Sequence, residues 1–304
     1  RFTPSCTDEL MAFLGKLAAE RDLPVQSHLS ENQAEMAWVR QLHPGCQQYW
    51  ETYAKYGLWT SRTVMAHCVW SDARERQAMR DAGVTAVHCA DSNQNICSGV
   101  APVRAMLNEG VKVALGSDIA GGDHLHMFDV VAASIRASKA RRVLDNWETD
   151  FLTVPEGWYL ATSAGAAYFA EQPGFAPGNH LHALVLADDD LPQPHPMTPQ
   201  ERLERAVYLR QGGAIRAVWS EGRKVFSAER DAVCVPLFFV PVRDAPLGSG
   251  MGRHTPKSKR AAHPETDAPH LFCIAHAPAN CAGSRRASAV SWGTSAVNVS
   301  RPPS

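Results

Sequence analysis

Between Leu23 and Asp118 an apolar run stops at a polar residue four times, and after each stop a helical pattern begins. The runs end at His28, His67, His88 and Asp118. Buried strands read as short, near-continuous apolar stretches, whereas helices show apolar residues three and four apart. Ala34, Trp38 and Leu42 have that spacing, so a helix is expected over 31–42 with Ser30 as its N-cap. Further helices are expected up to 79 behind Ser71-Asp72, over 102–108 after a loop at 91–99, and over 127–142 behind Gly121-Gly122. Strand and helix in alternation predict an α/β fold with a parallel sheet, because a parallel pair needs a crossover long enough to hold a helix. Chemistry in such sheets gathers at the carboxyl ends of the strands, where all four polar residues fall.

Zinc binds imidazole nitrogen and carboxylate oxygen at about 2.0–2.2 Å and, when catalytic, keeps one position for water. His28, His67, His88 and Asp118 around one rim could assemble such a site, with Glu31, three residues beyond His28, moving protons between water and a leaving amine. On spacing alone the His28–Glu31 pair reads equally as a hydrogen-bonded histidine beside a capped helix.

The rest of the chain narrows the class. A helix is expected over 5–22, capped by Ser5 or Thr7, and Tyr49, Trp50, Tyr53 and Tyr56 form an aromatic stripe on a helical piece over 47–56 that reads as packing. Another helix is expected over 156–169. Short β-like runs follow at 184–187, 206–209, 215–219 and 222–226, the last two forming a hairpin with Gly222 in its turn. Beyond 227 only 233–240 has strand character, and the tail is rich in Pro, Ser, Ala, Gly and Arg, so three regions are expected: 1–172, 173–227 and a disordered 228–304. A net charge of −1 and a pI near 7.0 give no electrostatic footprint for a nucleic acid polymer or an anionic membrane, which leaves a small molecule as the expected partner. Eight cysteines without a CxxC pair suit reduced thiols and a cytoplasmic setting. The chain opens without an initiator Met and is expected to be a fragment.

Several strings together carry a family resemblance. Gln26-Ser27-His28-Leu29-Ser30-Glu31-Asn32, Val64-Met65-Ala66-His67-Cys68, Ala86-Val87-His88-Cys89 with Ser92-Asn93, and Gly116-Ser117-Asp118-Ile119-Ala120-Gly121-Gly122 occur in the order seen in the guanine deaminases of the amidohydrolase superfamily. The opening Arg1-Phe2 resembles that family's guanine-contacting pair, and the likeness runs to about Ser227. The resemblance implies the second half of a (β/α)8 TIM-type barrel followed by part of a small β-sandwich. It also implies hydrolysis of guanine to xanthine and ammonia, one zinc ion per site held by His28 and Asp118, and a homodimer. Glu31, His67 and Asp118 would be catalytic, Glu31 relaying protons. Arg1 would hold the guanine carbonyl and Phe2 the purine ring, with His28, Glu31 and Asp118 also at the substrate.

The chain departs from the family's pattern in places. The family's first barrel strand bears a His-x-His pair that completes the zinc site, and the expected fragment lacks it. His124-Leu125-His126 and His180-Leu181-His182 have the spacing but no strand end, and are expected in solvent. His88 is expected to be a hydrogen-bonded structural residue, because Ala90-Asp91 replaces a proline-containing turn. Two alternatives remain: a related hydrolase acting on another aminated heterocycle, and a non-catalytic remnant whose open strand edges favour aggregation.

Overall fold

The computed structural model describes residues 1–169, 174–188, 191, 194–210, 215–228 and 271–274. The expected strand at 233–240 and most of the expected tail lie outside them.

A short 3-10 turn, Thr3–Ser5, leads into α1 (Asp8–Glu20), whose N-cap is Thr7: its hydroxyl accepts from Leu10 N–H. The first strand, β1 (Val25–Leu29), is followed by α2 (Gln33–Leu42) and a short α3 (Glu51–Ala54). Then come β2 (Thr63–His67), α4 (Ala73–Ala82), β3 (Thr85–His88), α5 (Ala90–Asn95), α6 (Val103–Asn108) and β4 (Lys112–Leu115). These four strands form one parallel sheet in chain order, with Leu29 opposite His67, Ala66 opposite Val87 and His88 opposite Leu115. The long α7 (Met127–Leu144) follows, then α8 (Val154–Ala161) and α9 (Ser163–Tyr168), two helices where a single one over 156–169 is expected. The break falls at Thr162, whose backbone leaves the helical region at φ −123°, ψ −87° while its hydroxyl donates to Trp158 O at 2.7 Å.

A second, antiparallel sheet is built from β5 (Ala183–Ala187), β6 (Ile215–Ser220), β7 (Arg223–Ser227) and β8 (Leu271–Ile274) in the order β7-β6-β5-β8. The β6–β7 hairpin turns at Glu221 and Gly222, both with positive φ (50° and 75°), so Gly222 sits where the turn geometry favours glycine. Between β5 and β6 lies α10 (Pro199–Arg205), which runs into a π-helical turn at Ala206–Arg210. A strand is expected at 206–209 and does not form. Ala206 and Val207 are instead buried in the core, and a short apolar run satisfies either strand or helix until its packing decides. Four residues of the expected disordered tail form β8, whose backbone pairs antiparallel with β5 and covers its open edge.

One continuous core joins the parallel sheet to its helices, with Leu29, Met65, Met79, Met106, Ile135 and Leu160 fully buried. The aromatic stripe packs as expected: Tyr49 and Tyr53 are buried and stacked, 5.9 Å between ring centroids. Tyr53 also has a polar task. Its hydroxyl donates to His28 O at 2.6 Å and accepts from Ser27 Oγ–H at 3.0 Å and Thr3 N–H at 3.3 Å, tying α3, the amino-terminal turn and the end of β1 together. Tyr53→Phe leaves these buried groups short of a partner and is expected to lower unfolding stability by about 1–3 kcal/mol. Urea denaturation should show a lower midpoint with an unchanged slope.

Candidate active site

The parallel sheet delivers His28, His67, His88 and Asp118 to one edge, and the backbone turns sharply as it leaves the strands. Ser30 (φ 46°), His67 (73°), Cys68 (49°) and Asp118 (44°) all occupy the left-handed region, which costs a non-glycine residue about 1 kcal/mol or more. Strain shared by three strand ends is characteristic of a site whose side-chain directions matter.

Ser30 is not the N-cap of α2. Asn32 is, its Oδ1 accepting from Glu35 N–H at 2.9 Å while Glu35 Oε2 accepts from the Glu31 and Asn32 amides in return. Glu31 therefore stands ahead of the helix rather than on its first turns. Its side chain is 2% exposed, Oε2 accepting from Arg1 Nη2 at 2.8 Å and Oε1 from Ser98 Oγ at 3.4 Å. Burial raises the Glu35 carboxyl above its ordinary range, against the hydrogen bond it accepts from Tyr49.

The two central histidines are oriented from behind. His28 Nδ1 donates to Arg1 O at 3.0 Å, which leaves Nε2 with a free lone pair. Burial, followed by the neighbouring His67 and Arg1 charges, pulls its pKa down to about 4, so the ring is neutral at pH 7. His67 Nδ1 donates to Asn93 Oδ1 at 2.8 Å. Its buried Nε2 has no hydrogen-bond partner and lies 3.8 Å from Glu31 Oε2 and 3.9 Å from Asp118 Oδ2. The two histidine rings are 4.9 Å apart. Asp118 is held by Ser92, whose hydroxyl donates to Oδ2 at 2.5 Å.

Arg1, His28, Glu31, His67 and Asp118 are thus brought together. Phe2 lies at the mouth, against Arg1 and edge-on to Trp38 at 6.4 Å between ring centroids. His88 departs from its expected role. It is 3% exposed with a buried Nδ1 that has no partner, and burial pulls its pKa to about 4, so it is a neutral and unsatisfied histidine. The 124 and 126 pair is not free in solvent either. His124 Nδ1 bonds Asp91, and half-buried His126 caps α7 by accepting from Phe128 N–H. His180 and His182 precede β5 in the second region. Sequence reasoning missed the supporting residues Tyr53, Asp91 and Ser98, and the Ser92-Asn93 string was its one signal of the hydrogen bonds to Asp118 and His67.

Comparison with known proteins places this geometry in a class. The amidohydrolase family model matches residues 1–225, and the chain belongs to that family. It is similar to guanine deaminase of Dictyostelium discoideum, 34% identical over 234 residues that cover 74% of this chain and 51% of the relative. Among solved structures it resembles guanine deaminase from C. acetobutylicum with guanine bound in its active site, at 42% identity and a TM-score of 0.72, covering 74% of this chain and 54% of that one. An adenosine deaminase from Xanthomonas campestris with bound zinc shares the fold at 24% identity and a TM-score of 0.60, covering 72% of this chain and 48% of that one. The chain spans about half the length of the curated relatives it matches.

Whether these residues suit a metal rests on the donors themselves. A neutral His28 with Nε2 free, a carboxylate at Asp118, and an unpartnered buried nitrogen on His67 between two carboxylates form a donor set that zinc accepts. Among the described residues, the one group of three metal-capable side chains with ligand atoms within 4.8 Å of one another is Asp91, Asp123 and His124, which includes none of His28, His67 and Asp118. His28 and Asp118 therefore suit two positions of a larger ligand set.

Glu75 of α4 supports the first turn from below, accepting from Ser30 Oγ at 3.1 Å and Ser71 Oγ at 2.6 Å. Burial pushes its pKa up to about 7, against those hydrogen bonds. Between pH 4.5 and 7 the unfolded chain loses this proton while the folded chain keeps it, so stability falls as pH rises through that window and levels off above it. Glu75→Gln should flatten the fall, which is of the order of 3 kcal/mol for a shift of this size. Urea denaturation of both proteins at pH 5, 6, 7 and 8 measures it.

Proposed function

We propose that this chain carries the second half of a zinc-dependent guanine deaminase, which hydrolyses guanine to xanthine and ammonia. The observation that carries the reading is the buried, unpartnered Nε2 of His67 facing Glu31 and Asp118, in a chain 42% identical to a structure with guanine in its active site. In this reading β1 to β4 are half of an eight-stranded barrel and the second sheet is a share of the family's sandwich. The free thiols of buried Cys68 and Cys89 support a cytoplasmic location, and the family's homodimer belongs to the same proposal. No helix among the described residues is long and apolar enough to cross a membrane.

His28 and Asp118 would hold the zinc, together with ligands beyond the four strand ends. Bound there, zinc supplies the Lewis acidity that makes water a nucleophile at neutral pH. Asp118 accepts a proton from the attacking water, a task for which Ser92 fixes its oxygen. Glu31, 3.8 Å from His67 Nε2, takes up the water's other proton and delivers it to the leaving amine, while the proton on Asp118 passes to the ring nitrogen beside the attacked carbon, so the water's oxygen ends on the purine carbon and its two hydrogens on xanthine and ammonia. His67 donates or accepts at Nε2, where charge develops on the tetrahedral carbon's substituents. Arg1 holds Glu31 in the structure. Its fork of donors serves the guanine carbonyl as well, so substrate entry would shift this ion pair toward the ligand.

Joined to the amino-terminal half of a guanine deaminase relative, the chain is expected to release ammonia from guanine in preference to other aminated purines, pterins and triazines. Glu31→Gln should keep zinc and lose turnover by about 10²–10⁴-fold. Unchanged turnover in that variant would remove Glu31 from the proton path, and a better rate on another heterocycle would replace guanine as the substrate.

A further inference from the structure

We propose that Asp91 is a positioning residue of this site, clamping the 118–124 loop onto α5 and thereby fixing the Asp118 carboxylate. The proposal rests on the reading of Asp118 as a zinc ligand. Asp91 stands in the first turn of α5, and its Oδ2 accepts three N–H groups from one short segment: Asp123 N at 2.8 Å, His124 N at 3.2 Å and His124 Nδ1 at 3.1 Å. Its neighbours on the same helix grip the loop at other points. Ser92 Oγ holds Asp118 Oδ2, and Asn95 Nδ2 donates to Gly121 O at 2.7 Å.

The loop lies so close to α5 that only glycine fits at its crest. A Cβ on Gly122 would stand 2.7 Å from Asp91 Oδ2 and 3.0 Å from Ser92 N, and one on Gly121 would collide with Ser92 Oγ and Asp118 Oδ2. Within the loop, the Gly121 and Gly122 amides both donate to Asp118 O, at 3.0 and 2.9 Å. A pull on Asp123 and His124 is therefore transmitted through two residues to the Asp118 backbone, which itself sits at a strained φ of 44°. The Asp118 side chain is 33% exposed, and one hydroxyl does not restrain a carboxylate whose backbone is free to relax. Asp91 touches neither His28 nor Glu31, so its effect on the site runs through the loop.

The Asp91, Asp123 and His124 group also has the composition of a metal site. The facing atoms are already engaged, Asp91 Oδ2 by three donors and His124 Nδ1 by Asp91 and Asp123 at 3.1 and 2.9 Å. A hydrogen-bonded clamp accounts for the geometry without an ion.

The test uses this 304-residue chain joined to the amino-terminal half of a guanine deaminase relative, as wild type, Asp91→Ala, Asp91→Asn and Asp123→Asn. Hydrogen exchange read by mass spectrometry should rise at least about tenfold at Asp123 and His124 in Asp91→Ala, with the β1 to β3 amides unchanged. The zinc dissociation constant, from competition with a chromophoric chelator, should rise about 10-fold or more, as when a group supporting a ligand is removed. Asp91→Asn keeps an acceptor oxygen and should recover most of both effects, while Asp123→Asn should change little. Wild-type exchange at 123–124 in Asp91→Ala overturns the clamp. A loosened loop with wild-type zinc affinity overturns the positioning role, as does zinc binding lost equally in Asp123→Asn. If the wild-type chain binds no zinc, the ligand reading of Asp118 fails and the positioning role with it. The exchange data then decide only whether Asp91 holds the loop. Should Asp91→Ala fail to fold, Asp91→Asn and His124→Ala carry the same comparison.

Discussion

Parallel pairing in chain order is the constraint from which the site follows. A parallel ladder sends every strand in the same direction, so the groups that terminate β1, β2 and β3 arrive side by side with no further arrangement. The helices then close one face and leave the carboxyl edge to loops. A functional group placed one residue past an apolar run is automatically beside its counterparts from the other strands. That economy explains why residues as far apart in sequence as His28, His67 and Asp118 meet with so little machinery of their own.

Directing those groups takes more than delivering them. At each of three strand ends the chain enters the left-handed region without glycine, a distortion sustained by neighbouring hydrogen bonds. Glu35 returns to the Glu31 amide, Asn93 fixes the ring of His67, and Ser92 fixes Asp118. Each histidine at the centre has one nitrogen committed to an acceptor behind it and the other turned inward. Preorganisation of this kind belongs to chemistry in which charge moves between fixed partners.

Much of this was legible in the sequence, and the losses have physical causes. Strand ends could be read because apolar runs terminate abruptly at His28, His67 and Asp118. The loop expected at 91–99 is in fact helical over its first half, since Asp91, Ser92, Asn93 and Asn95 are poor helix formers individually and hold their conformation through contacts to other segments. Such contacts cannot be inferred from spacing. Ala206-Val207-Tyr208-Leu209 has β-branched and aromatic character yet continues a helix, because burial against the core outweighed propensity. His88 was misjudged for the same reason: whether a buried ring finds a partner depends on what faces it in space.

The backbone oxygen of Arg1 accepts both Ser27 Oγ and His28 Nδ1, at 2.9 and 3.0 Å, while its guanidinium reaches Glu31. Residue 1 therefore does two jobs through chemically separate parts. The carbonyl, common to every amino acid, selects the histidine tautomer, whereas the side chain is the part that would meet a substrate. A substitution here changes the group presented at the mouth and leaves in place the carbonyl that orients His28. What residue 1 shows at the mouth and how it holds the tautomer of His28 are thereby set independently of each other.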